Sequence, residues 1–349
     1  MEIPNNNKGK NMAETTKSAW YERVPKVELH LHLEGAIPLD ALWQLVQKYG
    51  ADPSVTSLQS LRRKFQYKDF PHFIETWIWK NQFLREYDDF TFIAEAVARN
   101  LARQNIRYAE MFYSPSDFFR HGLETQKLTA AIRAGLGRVK QVEIGLILDF
   151  VRDRTTVNAA KNLSEVNDVK QLGVIGVTIG GLEHGYPPEP FADVYEKARQ
   201  LGFHTSAHAG EAAGPESIRG AIHSLKVERI GHGTRAIEDD SLMAYLAQTQ
   251  IPLEVCPLSN VRTGVVKSID VHPVKEFYKR GLMVTISTDD PAMFGNSLAE
   301  EYQLLEERLV FSRDDIRTLI LNGIKASWLP KNRKQTLINN FKIDVNWLG

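Results

Sequence analysis

The chain has 349 residues, 43% of them hydrophobic, and its 43 basic side chains balance 43 acidic ones for a formal net charge of zero. With a pI near 7.2, that balance gives no electrostatic case for nucleic acid or an anionic membrane as a partner. A single cysteine, Cys256, excludes an internal disulfide framework and any cysteine-rich zinc module, and predicts a cytoplasmic protein.

No stretch approaches the length of apolar sequence that a membrane-spanning helix needs. Residues 1–20 are polar, lack the apolar segment of a signal peptide and read as a disordered tail. Residues 21–349 show no repeat of fixed period, no low-complexity run and no Gly/Ser linker, which predicts one domain.

The first element is Lys26–Leu33, where apolar and polar residues alternate with the period of a strand that has one face in the core. His30 and His32 therefore project to the same side, about 7 Å apart at the backbone. Two imidazoles so placed suit one metal ion; two hydrogen-bonded core histidines are the alternative. About seventy residues separate this strand from the next, too many for one crossover helix. Residues Pro38–Asn105 should hold extra helices. Their aromatics, Phe65, Tyr67, Phe70, Phe73, Trp77, Trp79 and Phe83, fit helix core, with some forming an apolar lid over the mouth of the fold.

Seven further strand-like runs follow: Ile106–Tyr113, Glu143–Val151, Val174–Ile179, Phe203–Ala209, Arg229–His232, Pro252–Val255 and Leu282–Ser287. Amphipathic helical patterns lie between them. Ile218, Ala221, Ile222 and Leu225 recur at three and four residues behind Pro215, and Leu298, Tyr302, Leu305 and Leu309 do the same. Ser297 with Glu300, and Ser312 with Asp315, are capping-box patterns. Eightfold strand–helix alternation predicts a (β/α)8 TIM barrel of the α/β class, with extra helices between strands one and two.

Such a barrel carries its site at the C-terminal ends of the strands. Unusual polar residues collect there: His30, His32 and Glu34 after strand one; Gly180-Gly181 after strand four; His208 and Glu211 after strand five; His232 after strand six; and Asp289-Asp290 after strand eight. Singly, each has an ordinary reading. Glu211 suits a helix N-terminus, Asp289-Asp290-Pro291 a turn with a cap, and Gly180-Gly181 a plain turn. Together they supply three imidazoles (His30, His32, His208) and one carboxylate (Asp289) for a single zinc ion with room for water, which predicts a five-coordinate centre. His232 and Asp290 would orient that water and take its proton. Glu211 would be the general acid toward a substrate nitrogen. The other histidines, His72, His121, His184, His204, His223 and His272, receive no role.

Five segments carry a resemblance: Lys26–Ala36 (Lys-Val-Glu-Leu-His-Leu-His-Leu-Glu-Gly-Ala), His208–Glu211, Arg229–Gly233, Glu254–Pro257 and Ser287–Pro291. In this order the chain, from about Val24 to its end, resembles the adenosine deaminase family of the amidohydrolase superfamily. The resemblance implies one Zn2+ per chain on His30, His32, His208 and Asp289, and hydrolytic replacement of the amino group at C6 of a purine. It implies that Glu211 protonates N1, that His232 acts on the water as base or electrostatic anchor, and that Asp290 holds that water and contacts N7. The Gly181 N–H would donate to N3, while His32 and Glu34 fall among the substrate contacts, Glu34 toward the ribose. Animal adenosine deaminases have Asp at that last position, and the longer Glu is similar to adenine deaminases. Tyr113-Ser114-Pro115 looks like the adenosine enzymes.

The expected substrate is thus a small purine nucleoside, adenosine or 2'-deoxyadenosine. Adenine, an N6-modified purine or aminodeoxyfutalosine is the alternative. The other zinc deaminase class needs a cysteine-rich signature that one cysteine excludes. Two-metal amidohydrolases usually place a lysine where this chain has Thr178-Ile-Gly-Gly. A binding protein on the barrel scaffold is the non-enzymatic alternative.

Overall fold

The computed structural model describes residues 20–50, 52–68 and 70–348. The expected tail lies outside the described residues except for Trp20, which is buried at the start of a helical turn ahead of the first strand. Eight strands follow: β1 (Lys26–His32), β2 (Ile106–Tyr113), β3 (Glu143–Asp149), β4 (Val174–Thr178), β5 (His204–Ala209), β6 (Arg229–His232), β7 (Leu253–Val255) and β8 (Val284–Ile286). Each pairs in parallel with its successor.

The last seam of this (β/α)8 barrel closes in an unusual way. Strand β8 is shorter than the run Leu282–Ser287, and past Ile286 polar residues take over its pairing with β1. The Ser287 hydroxyl accepts from His30 N at 3.2 Å. Asp289 N then donates to His30 O at 3.1 Å, and His32 N to Asp289 O at 3.0 Å. One backbone segment thus closes the barrel and carries a candidate site residue.

Four helices lie between β1 and β2: α1 (Leu39–Tyr49), α2 (Leu58–Lys64), α3 (Phe70–Asn81) and α4 (Tyr87–Arg103). Capping boxes at Ser57 and Glu86 start α2 and α4. Helix α3 is tied over the barrel mouth, with Trp77 Nε1 and Asn81 Nδ2 both donating to Asp117 Oδ2, at 3.1 and 3.2 Å. Phe73 packs there with Met293 and Phe294 in a small apolar cluster joined by Phe65, Tyr67, Ile74 and Trp77. Phe83 is fully buried in the main core and Trp79 packs against it. The aromatics therefore divide between lid and core; the Phe70 side chain lies outside the described residues.

Of the later helices, Leu298–Leu309 and Arg313–Ala326 start at Ser297 and Ser312. The box at Ser312 is complete. At Ser297 the Glu300 carboxylate takes the serine hydroxyl, at 2.9 Å. The stretch behind Pro215 is a helix to Gly220 that widens into π turns over Ala221–Leu225.

The barrel interior is partly ionic. Arg229, 1% exposed, pairs through Nη1 with Glu110 Oε2 at 2.5 Å and through Nε with Glu254 Oε1 at 2.6 Å, and stacks on Trp328. Charges this deep persist only when paired. Two carboxylates face one guanidinium, and the surplus is passed upward, because Glu254 Oε2 lies 2.8 Å from His30 Nδ1.

Candidate active site

A cavity of about 250 Å3 opens at the C-terminal ends of the strands. His32, His208, Glu211, His232, Asp289 and Asp290 line one part of it, and Gly181 another; Phe73, Ile74, Trp77 and Ile78 of α3 add an apolar wall. His30 is buried beneath, within reach of His32, His208 and Asp289. Residues spread from β1 to the loop after β8 thus share one pocket because every parallel strand ends on the same rim.

The imidazole tautomers follow from their partners. His30 Nδ1 faces the Glu254 carboxylate, and His208 Nδ1 faces the Ile179 carbonyl at 3.0 Å, so both rings hold their hydrogen on Nδ1. Their Nε2 lone pairs are left pointing inward. His208 Nε2 lies 3.1 Å from His32 Nε2, while Asp289 Oδ1 lies 3.3 Å from His30 Nε2 and 3.4 Å from His32 Nε2. Donors bound to one zinc ion at 2.0–2.1 Å stand about 2.9–3.4 Å apart for right-angle to tetrahedral coordination. The observed spacings fall in that window. Ser259 Oγ donates to Asp289 Oδ2 at 2.6 Å and leaves Oδ1 for the cluster.

The electrostatics call for a cation. Burial opposes charge on His30, yet hydrogen bonds to Asp289 and Glu254 outweigh it and push its pKa up to about 10, so without a metal ion a proton takes the Nε2 position that an ion would hold. Burial pushes His32 down to about 4 and His208 well below the usual range, keeping both neutral. Neutral imidazoles beside a carboxylate form a donor set suited to a divalent metal ion.

Two residues here hold left-handed backbone: His232 at φ 61° and Asp289 at φ 65°. Such strain costs on the order of 1–3 kcal/mol each and persists where the fold over-determines it. For Asp289 the bonds that close the barrel impose it. Gly35 packs so tightly on the Asp290 carboxylate that an added Cβ would overlap it. Gly181, at φ 87°, brings bare backbone to the cavity.

Burial, then the charges of Asp289 and Glu183, pushes the Glu211 carboxyl up to about 8. Burial and Asp289 also push Asp290 well above the usual range. Glu34 does not line the cavity. It is 1% exposed, and its Oε1 accepts from Ser114 N at 3.1 Å. Ser114 and Asp149 stand at the surface there instead, joined by a 2.8 Å bond from Ser114 Oγ to Asp149 Oδ2.

A family model described as adenosine deaminase matches residues 25–343. The chain belongs to that family. Adenine deaminase of Bordetella avium (strain 197N) is 37% identical over 310 residues, 88% of this chain and 98% of that protein. Aminodeoxyfutalosine deaminase of Streptomyces avermitilis is 34% identical over 312 residues, 88% of this chain and 87% of the other. An amidohydrolase from Burkholderia ambifaria, solved with bound Zn, matches at a TM-score of 0.86 and 27% identity, covering 93% of this chain and 91% of that one.

In this member of the adenosine deaminase family, sequence reasoning missed three polar residues around the site. Lys80 is buried, donates to the Glu34 carbonyl at 2.7 Å and lies 4.1 Å from the Trp77 ring centroid. Glu183 receives four backbone N–H groups, those of Gly210, Glu211, Ala212 and Ala213, at 2.6–3.0 Å. Asn260 joins His232 to His272. Nothing in the local spacing separates Glu183 from a solvated loop acid, because its partners are amides 27 to 30 residues away.

Proposed function

We propose that this protein is a metal-dependent hydrolase that replaces the 6-amino group of a purine with oxygen and releases ammonia. The observation that carries this reading is the convergence of His30, His32, His208 and Asp289 beside Glu211 and Asp290 in one cavity. One zinc ion per chain is the proposed occupant, supported by the donor set and by the zinc in the Burkholderia structure. A divalent ion held there supplies water with a pKa near 7.

The chain's own residues supply the rest of the chemistry. Glu211, neutral at pH 7, holds a proton for purine N1, and protonation there draws electrons from C6. Purine N7 only accepts hydrogen bonds, so the raised pKa of Asp290 suits it as a donor to N7. The Gly181 N–H matches the acceptor N3. Ser114 and Asp149, which line the cavity in front of Glu34, are the groups proposed to meet a donor elsewhere on the substrate. The walls of α3 exclude water from the ring.

Likeness to adenine and aminodeoxyfutalosine deaminases weighs for free adenine or aminodeoxyfutalosine over adenosine, which the sequence placed first. Ammonia release from adenine, adenosine, 2'-deoxyadenosine and aminodeoxyfutalosine, and methylamine release from N6-methyl-AMP, before and after chelation and with zinc restored, test both levels. The expected result is chelator-sensitive turnover with one substrate far ahead. No amine released from any of them with zinc present overturns the reaction, and adenosine ahead of adenine and aminodeoxyfutalosine overturns the ranking.

A further inference from the structure

We infer that Asn260 and His272 are positioning residues that fix His232 as a neutral ring with its hydrogen on Nε2, on the side of the reacting groups. Val274 N donates to His272 Nδ1 at 3.1 Å. A backbone N–H only donates, so Nδ1 is bare. His272 is 4% exposed and burial lowers its pKa to about 3. It is therefore neutral, and its one ring hydrogen sits on Nε2.

That Nε2–H faces Asn260 Oδ1 at 3.2 Å, and the Thr234 hydroxyl donates to the same oxygen at 3.1 Å. These two donors identify this corner of the Asn260 amide as the carbonyl. The other corner is the NH2 group, 3.1 Å from His232 Nδ1. His232 Nδ1 must then accept, and the ring hydrogen is left on Nε2. That atom lies 3.6 Å from Glu211 Oε2, within one cluster with Asp289.

The consequence rests on the deaminase reading: an Nε2 that already carries hydrogen donates to the oxygen of the attacking water, and the proton of that water, whose pKa a bound divalent ion would bring near 7, would leave to solvent and not to His232. The expectation that His232 takes that proton is thereby replaced by a donor role. Imidazolium is disfavoured by the same contact, because Nδ1–H would face the Asn260 N–H.

The test uses full-length protein labelled with 15N in its histidine rings, with and without zinc. Two-bond 1H–15N correlation spectra separate the two tautomers, and His232 is assigned by its loss in His232→Gln. The wild type should show bare Nδ1 and protonated Nε2. Asn260→Asp offers only acceptors, so it should move the hydrogen to Nδ1 and lower kcat on the order of 10- to 100-fold, with KM and zinc content near wild type. His272→Gln keeps a donor toward Asn260 and should preserve both pattern and rate, whereas His272→Phe frees the amide to turn and should mix the tautomers. If Asn260→Asp does not fold, the His272 pair carries the test. Hydrogen on Nδ1 in the wild type, an unchanged pattern in Asn260→Asp, or identical behaviour of the two His272 variants overturns the inference. Absence of turnover on every purine overturns the deaminase reading instead, and the ring spectra still decide the tautomer.

Discussion

Glu183 touches no expected substrate atom, yet its removal should disable the site. Its carboxylate, 4% exposed, receives Gly210 N at 2.6 Å on one oxygen and Glu211, Ala212 and Ala213 N at 3.0, 2.6 and 2.8 Å on the other. Four N–H groups on one carboxylate shape the loop that aims Glu211. In Glu183→Ala the Gly210 and Glu211 amides are buried without acceptors, at about 1–3 kcal/mol each, while the two half-buried amides recover water. The total is roughly 2–6 kcal/mol, a large share of the ~5–15 kcal/mol that stabilises an ordinary domain. Glu183→Gln is the gentler perturbation. Its carbonyl can keep the three-bond corner, but its NH2 then meets Gly210 N–H, for a loss of about 1–3 kcal/mol. A displaced Glu211 should lower kcat on the order of tenfold to a hundredfold with metal content intact. The charge has a second effect. Glu183 helps hold the Glu211 pKa up, so the neutral Gln should lower it and move the alkaline limb of kcat/KM to lower pH. Urea unfolding, metal analysis and pH–rate profiles check each part. A Gln variant within about 0.5 kcal/mol of wild-type stability, with unchanged rate and limb, would show that the loop aims Glu211 without this carboxylate.

Glu211→Gln should bind metal normally and lose most turnover, and wild-type kcat/KM should fall as pH rises through about 8, where Glu211 gives up its proton; a Gln rate within a few-fold of wild type contradicts the acid role. His208→Ala should lose bound metal and activity together, and full zinc occupancy by elemental analysis would remove it from the ligand set. Gly35→Ala should push the Asp290 carboxylate aside, sparing metal while lowering kcat on the order of 10²-fold; unchanged kinetics would show that Asp290 need not stay where it is. Glu301 is fully buried, and burial raises its carboxyl from 4.5 to about 8. The folded state holds that proton the more tightly, so its stabilisation is complete below pH 4.5 and is lost as pH rises through 8. Glu301→Gln should therefore gain on wild type in thermal midpoint between pH 7 and pH 9, and parallel curves would count against it.

The barrel was legible in the linear chain, because alternation and amphipathic period are local properties that a parallel sheet turns into eight strands with little choice. The candidate ligands were legible for the same reason: His30, His32 and His208 end strands, and a barrel sends every strand end to one rim. The resemblance added their expected roles. Tertiary structure alone decided how those residues are held. Asp289 sits in a left-handed conformation because it also closes the seam with β1. Glu34, read as a substrate contact, is withdrawn behind Ser114. Glu183, Asn260 and His272 look like loop residues in the linear chain. Apart from the Val274 amide on His272, their side-chain partners lie 12 to 30 residues away, and hydrogen bonds across such gaps leave no period to read. Periodicity encodes which face of an element is buried, whereas the direction of a single buried hydrogen bond depends on packing that no local pattern contains.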